Sequence, residues 1–278
     1  MKKYSFLLFL QLFVYSLQAQ DSISVHAPAS ENDSIKIQHE TSVSTEGSEQ
    51  GIWQMANEAY IKGDFRKAID LYNSLLESGK ESDVLYYNLG NAYYKANETT
   101  LAILNYERAL LLNPGDGDTR FNLEMAKLKT IDKIEPVGRF FLSEWITSLR
   151  NVFSTNQWAT IGIVSFLLLI GCLVLFFFSR QISWKKVGFY ASIVLLVLTV
   201  SSNVFSYQQK KSLTDRNVAI ISVPTVTLKG SPDNSGTDIV ILHEGLKVTI
   251  KSKLGDWNEV ILEDGTVGWV ESKKIATI

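Results

Sequence analysis

The side chains that most often carry catalysis are few in this chain and lie far apart. The 278 residues include three histidines and one cysteine. His26 and His39 fall in a polar segment, His243 follows a β-rich run and Cys172 lies in an apolar stretch, so no metal site or nucleophile–base pair is indicated. The sequence also lacks a phosphate-binding glycine loop and an HExxH motif. We therefore expect no catalytic residues, no cofactor and no metal, and we expect His243 at the surface.

Side chains suited to holding a peptide recur at a fixed interval instead. An asparagine amide bonds to backbone groups, and an aromatic ring packs on apolar side chains. Two triads of such residues have the same internal spacing and lie 34 residues apart: Trp53, Asn57 and Tyr60, then Tyr87, Asn91 and Tyr94. This recurrence indicates a structural repeat.

The segment 51–130 as a whole matches itself after a shift of 34 residues. The matching pairs include Ala56 and Gly90, Ala68 and Ala102, and Tyr72 and Tyr106. A period of 34 is typical of tetratricopeptide repeats, and residues 83–114 resemble that family closely, ending at its closing Pro114. The resemblance implies an all-α solenoid of about two and a half helix–turn–helix units. It also implies a peptide groove on the first helix of each unit, lined by the two triads Trp53, Asn57 and Tyr60 and Tyr87, Asn91 and Tyr94.

A narrower type of groove is indicated by two asparagines. Asn57 and Asn88 correspond to the pair with which some tetratricopeptide domains hold a C-terminal carboxylate. The basic partners of that clamp are missing, because Trp53, Asp118 and Asn122 occupy their positions. We therefore predict a general peptide groove; the alternative is that the asparagines satisfy hydrogen bonds within the fold.

The N-terminus has the pattern of an export signal. A basic start, an apolar run and Ala19 are typical of a secretory signal peptide over residues 1–19; an uncleaved anchor is the alternative. Residues 20–50 are polar and acidic, with too few apolar side chains to offset the entropy cost of ordering. We predict a disordered linker there.

Two later segments are long and apolar enough to cross a bilayer. Residues 159–178 and 187–206 carry no charged side chain, and about twenty residues of helix match a hydrocarbon core of about 30 Å. The loop between them, 179–186, is basic and has no acidic residue, and such short loops stay in the cytoplasm. We predict a transmembrane hairpin in a bacterial inner membrane, with residues 21–157 and 207–278 both in the periplasm.

Residues 138–156 have the pattern of an amphipathic helix. Phe141, Trp145, Leu149 and Phe153 recur at every fourth position and would share one face. We predict that this helix lies in the membrane interface. The alternative is that its apolar face packs on the helical repeats.

The C-terminal segment 213–278 is rich in β-forming residues. Short β-branched runs alternate with turn sequences such as LGDW and EDG. In the stretches EGLKVTI, GDWNEVIL and DGTVGWV the segment resembles bacterial Src-homology-3-like (SH3-like) domains, which implies a small all-β barrel. Trp257 and Trp269 are candidates for its ligand groove, and packing in the barrel core is the alternative.

The order of these parts resembles that of the BatE proteins of the Bacteroides aerotolerance operon. The resemblance implies a multidomain membrane protein without enzymatic activity. It also implies a scaffold that works beside membrane-anchored von Willebrand factor A-domain proteins in an aerotolerance or envelope-stress complex. The alternative is a cell-wall sensor whose SH3-like domain binds peptidoglycan. A net charge of -2 gives no indication of a nucleic-acid partner.

Overall fold

The computed structural model of this chain describes residues 49–134, 138 and 141–278. The predicted signal peptide, 1–19, lies outside these residues, and so does the predicted linker, 20–50, except for its last two positions. The described helices are α1 (Glu49–Ile61), α2 (Phe65–Glu77), α3 (Asp83–Lys95), α4 (Thr99–Leu112), α5 (Gly117–Lys127), α6 (Phe141–Arg150), α7 (Thr155–Phe178) and α8 (Ile182–Asp215). The described strands are β1 (Val218–Ile221), β2 (Thr225–Lys229), β3 (Asp238–His243), β4 (Lys247–Leu254), β5 (Trp257–Ile261), β6 (Val267–Glu271) and β7 (Ile275–Thr277).

Helices α1 to α5 form a repeat domain in which each helix packs on the next along the chain. Close approach depends on small residues: Ala56, Ala68 and Ala102 are fully buried. At Gly90 in α3, an added Cβ atom would lie 2.7 Å from Cδ1 of the Tyr106 ring in α4. The small residues that set the 34-residue period therefore mark the contacts between paired helices.

Polar caps and left-handed turns separate these helices. The side chains of Asp64 and Ser82 accept hydrogen bonds from backbone N–H groups at the starts of α2 and α3, and so satisfy donors that a helix start leaves free. Gly63, Gly79 and Asn97 have φ angles of 80°, 84° and 63° in the connecting turns. Glycine and asparagine tolerate this conformation best, so the chain reverses at the positions where the sequence provides them.

Helices α7 and α8 pack side by side through small residues. An added Cβ atom at Gly188 would lie 2.9 Å from the Phe176 backbone nitrogen, and the hydroxyls of Ser165 and Thr199 are 2.9 Å apart. Both helices are long and apolar enough to cross a membrane. Close backbone approach at small residues is typical of helix pairs in lipid.

The hairpin helices begin earlier than the apolar pattern predicts. A capping box formed by Ser154 and Gln157 begins α7 at Thr155 instead of at 159. The predicted loop 179–186 is shorter than expected, because α8 begins at Ile182 and takes both loop lysines into its first turns. Helix α8 then continues to Asp215 and is about 51 Å long at 1.5 Å per residue.

Helix α6 leaves its apolar face uncovered. None of its residues is buried, and Phe141 and Trp145 are 72% and 64% exposed. The structure therefore does not show the alternative in which this face packs on the helical repeats. An uncovered apolar face directly before α7 is the arrangement expected for a helix in the membrane interface.

The seven strands form one antiparallel sheet, called the sheet domain below, in the order β3-β2-β6-β5-β4-β1-β7. Gly255 and Gly265, with φ angles of 59° and 86°, turn the chain between β4 and β5 and between β5 and β6. These are the turns predicted from LGDW and EDG. The buried side chains Leu228, Val260 and Val270 are part of the sheet's core.

The sheet domain packs directly on the repeat domain. Ile220 of β1 and Ile278 belong to the same buried cluster as Ile103 and Tyr106 of α4 and Ala126 of α5. In a longer solenoid, the second helix of a third repeat unit would cover α4 and α5 at this place. The sheet therefore closes the repeat stack at that end.

Charged groups reinforce this contact. The Lys247 ammonium donates to Glu107 Oε2 at 2.6 Å, and Glu107 is only 6% exposed. The backbone N–H of His243 donates to Asp132 Oδ2 at 2.6 Å, and its Nδ1 lies 2.8 Å from Asp132 Oδ1. His243 lies partly at the surface, as predicted, with 27% of its side chain exposed. The backbone and the ring of His243 both bond to the segment that follows α5.

Candidate functional site: the inner face of the repeat helices

Each complete repeat unit contains one buried tyrosine–asparagine pair. The Tyr72 hydroxyl donates to Asn57 Oδ1 at 2.6 Å, and the Tyr106 hydroxyl donates to Asn91 Oδ1 at 2.7 Å. Both rings are almost completely buried, and this burial raises the pKa of both tyrosine hydroxyls. The two pairs have the same sequence separation, so the bond is a repeated structural element.

The third unit adds its own asparagine to the second pair. Asn122 Nδ2 of α5 donates to Asn91 Oδ1 at 2.9 Å and to the Tyr87 hydroxyl at 3.3 Å. The Asn91 carbonyl oxygen therefore accepts two hydrogen bonds from within the fold. Its acceptor sites are occupied by these bonds, which link α3, α4 and α5.

This burial corrects the predicted groove lining at four positions. Asn57, Tyr60, Tyr87 and Asn91 are 6%, 7%, 1% and 5% exposed. The physical reason is that the first helix of each following unit covers these positions. Asn57 and Asn91 instead form hydrogen bonds within the fold, which is the alternative given above for these asparagines. Asn88, the second asparagine of the carboxylate-clamp pattern, is 1% exposed, so the pair Asn57 and Asn88 presents no open amide face.

The other two predicted groove residues are accessible in part. Trp53 is half-buried with its ring edge-on to Tyr72 at 5.7 Å, and its Nε1 is buried with no hydrogen-bond acceptor among the described residues. Tyr94 is half-exposed, and the Lys129 ammonium lies 3.8 Å from its ring centroid. Such a cation over an aromatic face is attractive. Ligand contact by Trp53 and Tyr94 stays a prediction.

An open apolar surface lies at the third copy of the same positions. A further shift of 34 residues from Tyr87, Asn91 and Tyr94 leads to Phe121, Met125 and Leu128, called the terminal strip below. These three residues are 51%, 37% and 67% exposed. Among the described residues, no further repeat helix packs over them. The 34-residue period points to these positions, but Met125 and Leu128 are neither asparagine nor aromatic, so residue type alone does not.

The two tryptophans of the sheet domain share one face. Trp257 pairs with Glu271 and Trp269 pairs with Glu259 across β5 and β6, and both tryptophans are half-buried. Trp257 lines a cavity of about 200 Å³ together with Lys229 and other residues. The residues that line this cavity do not include Trp269. The structure therefore brings Trp257, but not Trp269, to this cavity.

No metal site is found in the part of the chain that the structure describes, since no three His, Cys, Asp or Glu side chains converge there. Cys172 lies in α7, half-buried and unpaired with another cysteine.

Comparison with known proteins identifies one part of the chain. Residues 84–116 match the family model of the tetratricopeptide repeat. A 103-residue stretch is 29% identical to the peroxisomal targeting signal receptor of Saccharomyces cerevisiae, and this stretch covers 37% of the present chain and 16% of the receptor. The chain thus spans a small part of the length of this curated relative. The chain contains a tetratricopeptide repeat, and such repeats imply protein partners.

Proposed function

We propose that this protein is a non-enzymatic, membrane-anchored scaffold that binds protein partners through its repeat domain and its sheet domain, which we assign as an SH3-like barrel. The terminal strip is the observation that carries this proposal. An exposed apolar surface on the inner face of a repeat helix is the kind of surface that another protein covers. Trp53 and Tyr94 extend this binding surface along the same face.

The partners we propose are membrane-anchored von Willebrand factor A-domain proteins of an aerotolerance or envelope-stress complex. This assignment is supported by the order of the domains alone. The hairpin α7–α8 anchors the scaffold in a bacterial inner membrane. Both soluble domains lie on the periplasmic side after removal of the signal peptide, and the direct packing of Ile220 and Ile278 on the repeat domain supports a common side for both.

Photo-crosslinking tests the binding surface. A photoreactive amino acid at position 121 should crosslink to a protein in intact membranes. The double variant Phe121→Ser/Leu128→Ser should lose at least about tenfold of partner capture, because it removes apolar contact area without touching the core. Ile61→Ser is the matched control, since Ile61 is 68% exposed at the other end of the repeat domain.

The control variant should capture the partner as the unmodified chain does. Crosslinking from position 121 to lipid only, or unchanged capture by the double variant, would contradict the proposed surface.

Reporter fusions test the membrane topology. A reporter active only outside the cytoplasm should give signal when fused after Ile278 and no signal when fused after Ser183. The basic loop residues near Ser183 should stay in the cytoplasm. The reverse pattern of signals would rule out the arrangement with both soluble domains outside.

A second candidate function is binding of peptidoglycan by the sheet domain, and the cavity beside Trp257 favours it. Co-sedimentation of the detergent-solubilised full chain with purified sacculi tests this function. The full chain is needed because the sheet domain shares buried side chains with the repeats. If the chain co-sediments with sacculi and Trp257→Ala abolishes this co-sedimentation, the cell-wall function is supported. If the chain does not co-sediment, the protein scaffold is supported.

A further inference from the structure

A cavity of about 360 Å³ lies where four parts of the molecule meet. Its lining comes from the last repeat helices, the end of α6, the end of α8 and the sheet domain, which contributes residues of β1 and β4 and the C-terminal Ile278. Gln209 of α8 holds this junction together, because its Nε2 donates to the backbone oxygens of Arg150 at 2.8 Å and of Phe153 at 2.9 Å. The cavity thus lies at the end of the hairpin from which the soluble domains emerge.

Positive charges outnumber negative charges around the cavity. Four cations line it, Arg120, Arg150, Arg216 and Lys247, against one carboxylate, Glu107. Each cation comes from a different element or its end, so the fold and not a local run of sequence brings them together.

Glu107 does not neutralise the arginines. Its carboxylate is already held by Lys247 at 2.6 Å and by Lys127 at 3.4 Å. Arg216 lies 3.8 Å from Glu81. This leaves two guanidinium groups, on Arg120 and Arg150, as the least neutralised of the four cations.

Arg120 and Arg150 bond to neutral groups. Arg120 donates to the backbone oxygen of Pro114 at 2.6 Å, and Arg150 Nε donates to Asn151 Oδ1 at 3.1 Å. Among the residues that the structure describes, neither arginine forms an ion pair. Arg120 is exposed and Arg150 is half-buried, so both guanidinium groups are accessible beside the cavity and can bond to an anion there.

We propose that this cavity binds a phosphate group, supplied by the headgroup of an anionic phospholipid or by a soluble phosphate. A guanidinium fork matches phosphate oxygens in geometry as well as in charge. Apolar side chains such as Leu110 and Ile278 also line the cavity, and they suit the glycerol and acyl carbons beside a lipid phosphate. A bound headgroup would join the repeat domain, α6 and α8 at one point.

The test uses the full chain in neutral detergent micelles. The probes are short-chain phosphatidylglycerol, phosphatidylcholine of the same chain length and inorganic phosphate, at constant ionic strength. The unmodified chain should bind phosphatidylglycerol saturably, and Arg120→Gln/Arg150→Gln should raise the Kd at least about tenfold through loss of charge-assisted bonds. Lys210→Gln/Lys211→Gln removes the same charge from exposed positions on α8 that do not line the cavity, and should change the Kd less than about twofold.

The outcomes assign the source of the phosphate. Binding of phosphatidylglycerol without competition from inorganic phosphate identifies a lipid headgroup. Saturable binding of inorganic phosphate that competes with the lipid identifies a soluble phosphate. Equal loss in both double variants, or no saturable binding of either probe, overturns the proposal.

A conservative variant distinguishes loss of binding from loss of folding. Arg150→Lys keeps the charge and removes the planar fork, so it should weaken binding less than the double variant while circular dichroism stays unchanged. The lipid source rests on the membrane placement proposed above. Carbonate extraction of membranes tests that placement separately, and micelles allow the phosphate site to be measured even where extraction fails.

Discussion

Helices α3 and α5 occupy equivalent places in successive repeat units, and they are covered very differently. In α3, buried residues run continuously from Leu85 to Ala92. In α5, only Thr119, Leu123 and Ala126 are buried. The same repeat position is Asn91 in α3, where it accepts hydrogen bonds from two neighbours, and Met125 in α5, where it is partly exposed.

The difference teaches that a repeat position does not define a function. The next unit along the chain decides whether an inner-face residue is core or surface. In α3 the inner face has become a hydrogen-bonded seam between units, whereas in α5 it is left as the terminal strip. The largest open apolar area on the inner face of this short array therefore lies at its end.

The largest effect is expected from an exchange of residues between the two helices at one position. Gly90 of α3 corresponds to Glu124 of α5. Gly90→Glu would place a Cβ atom 2.7 Å from the Tyr106 ring and bury a carboxylate, so it should cost at least about 4 kcal/mol of unfolding free energy. The reverse change, Glu124→Gly, removes an exposed helix residue and should cost about 1 kcal/mol.

Urea titration of the detergent-solubilised chain, followed by circular dichroism, measures both costs. Similar losses for the two variants would mean that α3 and α5 are covered alike.

A smaller effect is expected from the hydrogen-bonded seam. Asn91→Ala leaves the Tyr106 hydroxyl and the Asn122 amide without their shared acceptor, which should cost about 1–3 kcal/mol. Met125→Ala, at the same position of the third unit, should cost less than about 1 kcal/mol because the side chain is partly exposed. A double-mutant cycle of Asn91→Ala with Tyr106→Phe should show coupling, and strict additivity would argue against the bond.

The smallest effect concerns the pH dependence of stability. Burial raises the pKa of the Tyr72 and Tyr106 hydroxyls. The contribution of these tyrosines to the unfolding free energy is therefore complete below about pH 10, where tyrosine in the unfolded chain begins to ionise. This contribution is lost as the pH rises above that value. Each such tyrosine lowers the unfolding free energy by about 1.4 kcal/mol per pH unit in that range.

Tyr106→Phe should therefore make the decline in unfolding free energy between about pH 10 and 11 shallower, because Tyr106 no longer contributes to it. Tyr207→Phe is the control, since Tyr207 is 70% exposed, and should keep the original decline. Melting temperatures across this range measure both slopes. An unchanged slope for Tyr106→Phe would mean that its hydroxyl is not shielded by α3.

Local features of the fold follow from the sequence because they depend on neighbours in the chain. The 34-residue period predicts α1 to α5, two apolar segments predict the hairpin helices, and glycine turns predict the strand reversals at Gly255 and Gly265. The helix starts at Thr155 and Ile182 were missed because capping and continued helix propensity outweigh the point at which the apolar pattern begins.

The contact between the two soluble domains could not be predicted. Glu107 and Lys247, or Asp132 and His243, are separated in sequence by both hairpin helices, and an ion pair between two domains has no periodic signal. The groove was misplaced for a related reason. Asn57 and Asn91 satisfy the family pattern whether or not a ligand is present, and only burial separates the two roles.

The packing of Ile278 and Ile220 on the repeat helices has a consequence for biosynthesis. The repeat helices are made first, but the side chains that complete their last buried cluster emerge only after both hairpin helices have been synthesised. In the membrane topology proposed above, a chain in which one hairpin helix failed to insert would leave its C-terminus on the opposite side of the bilayer, and the repeat end would stay uncovered. In that topology, completion of this buried cluster distinguishes correctly inserted chains from incorrectly inserted ones.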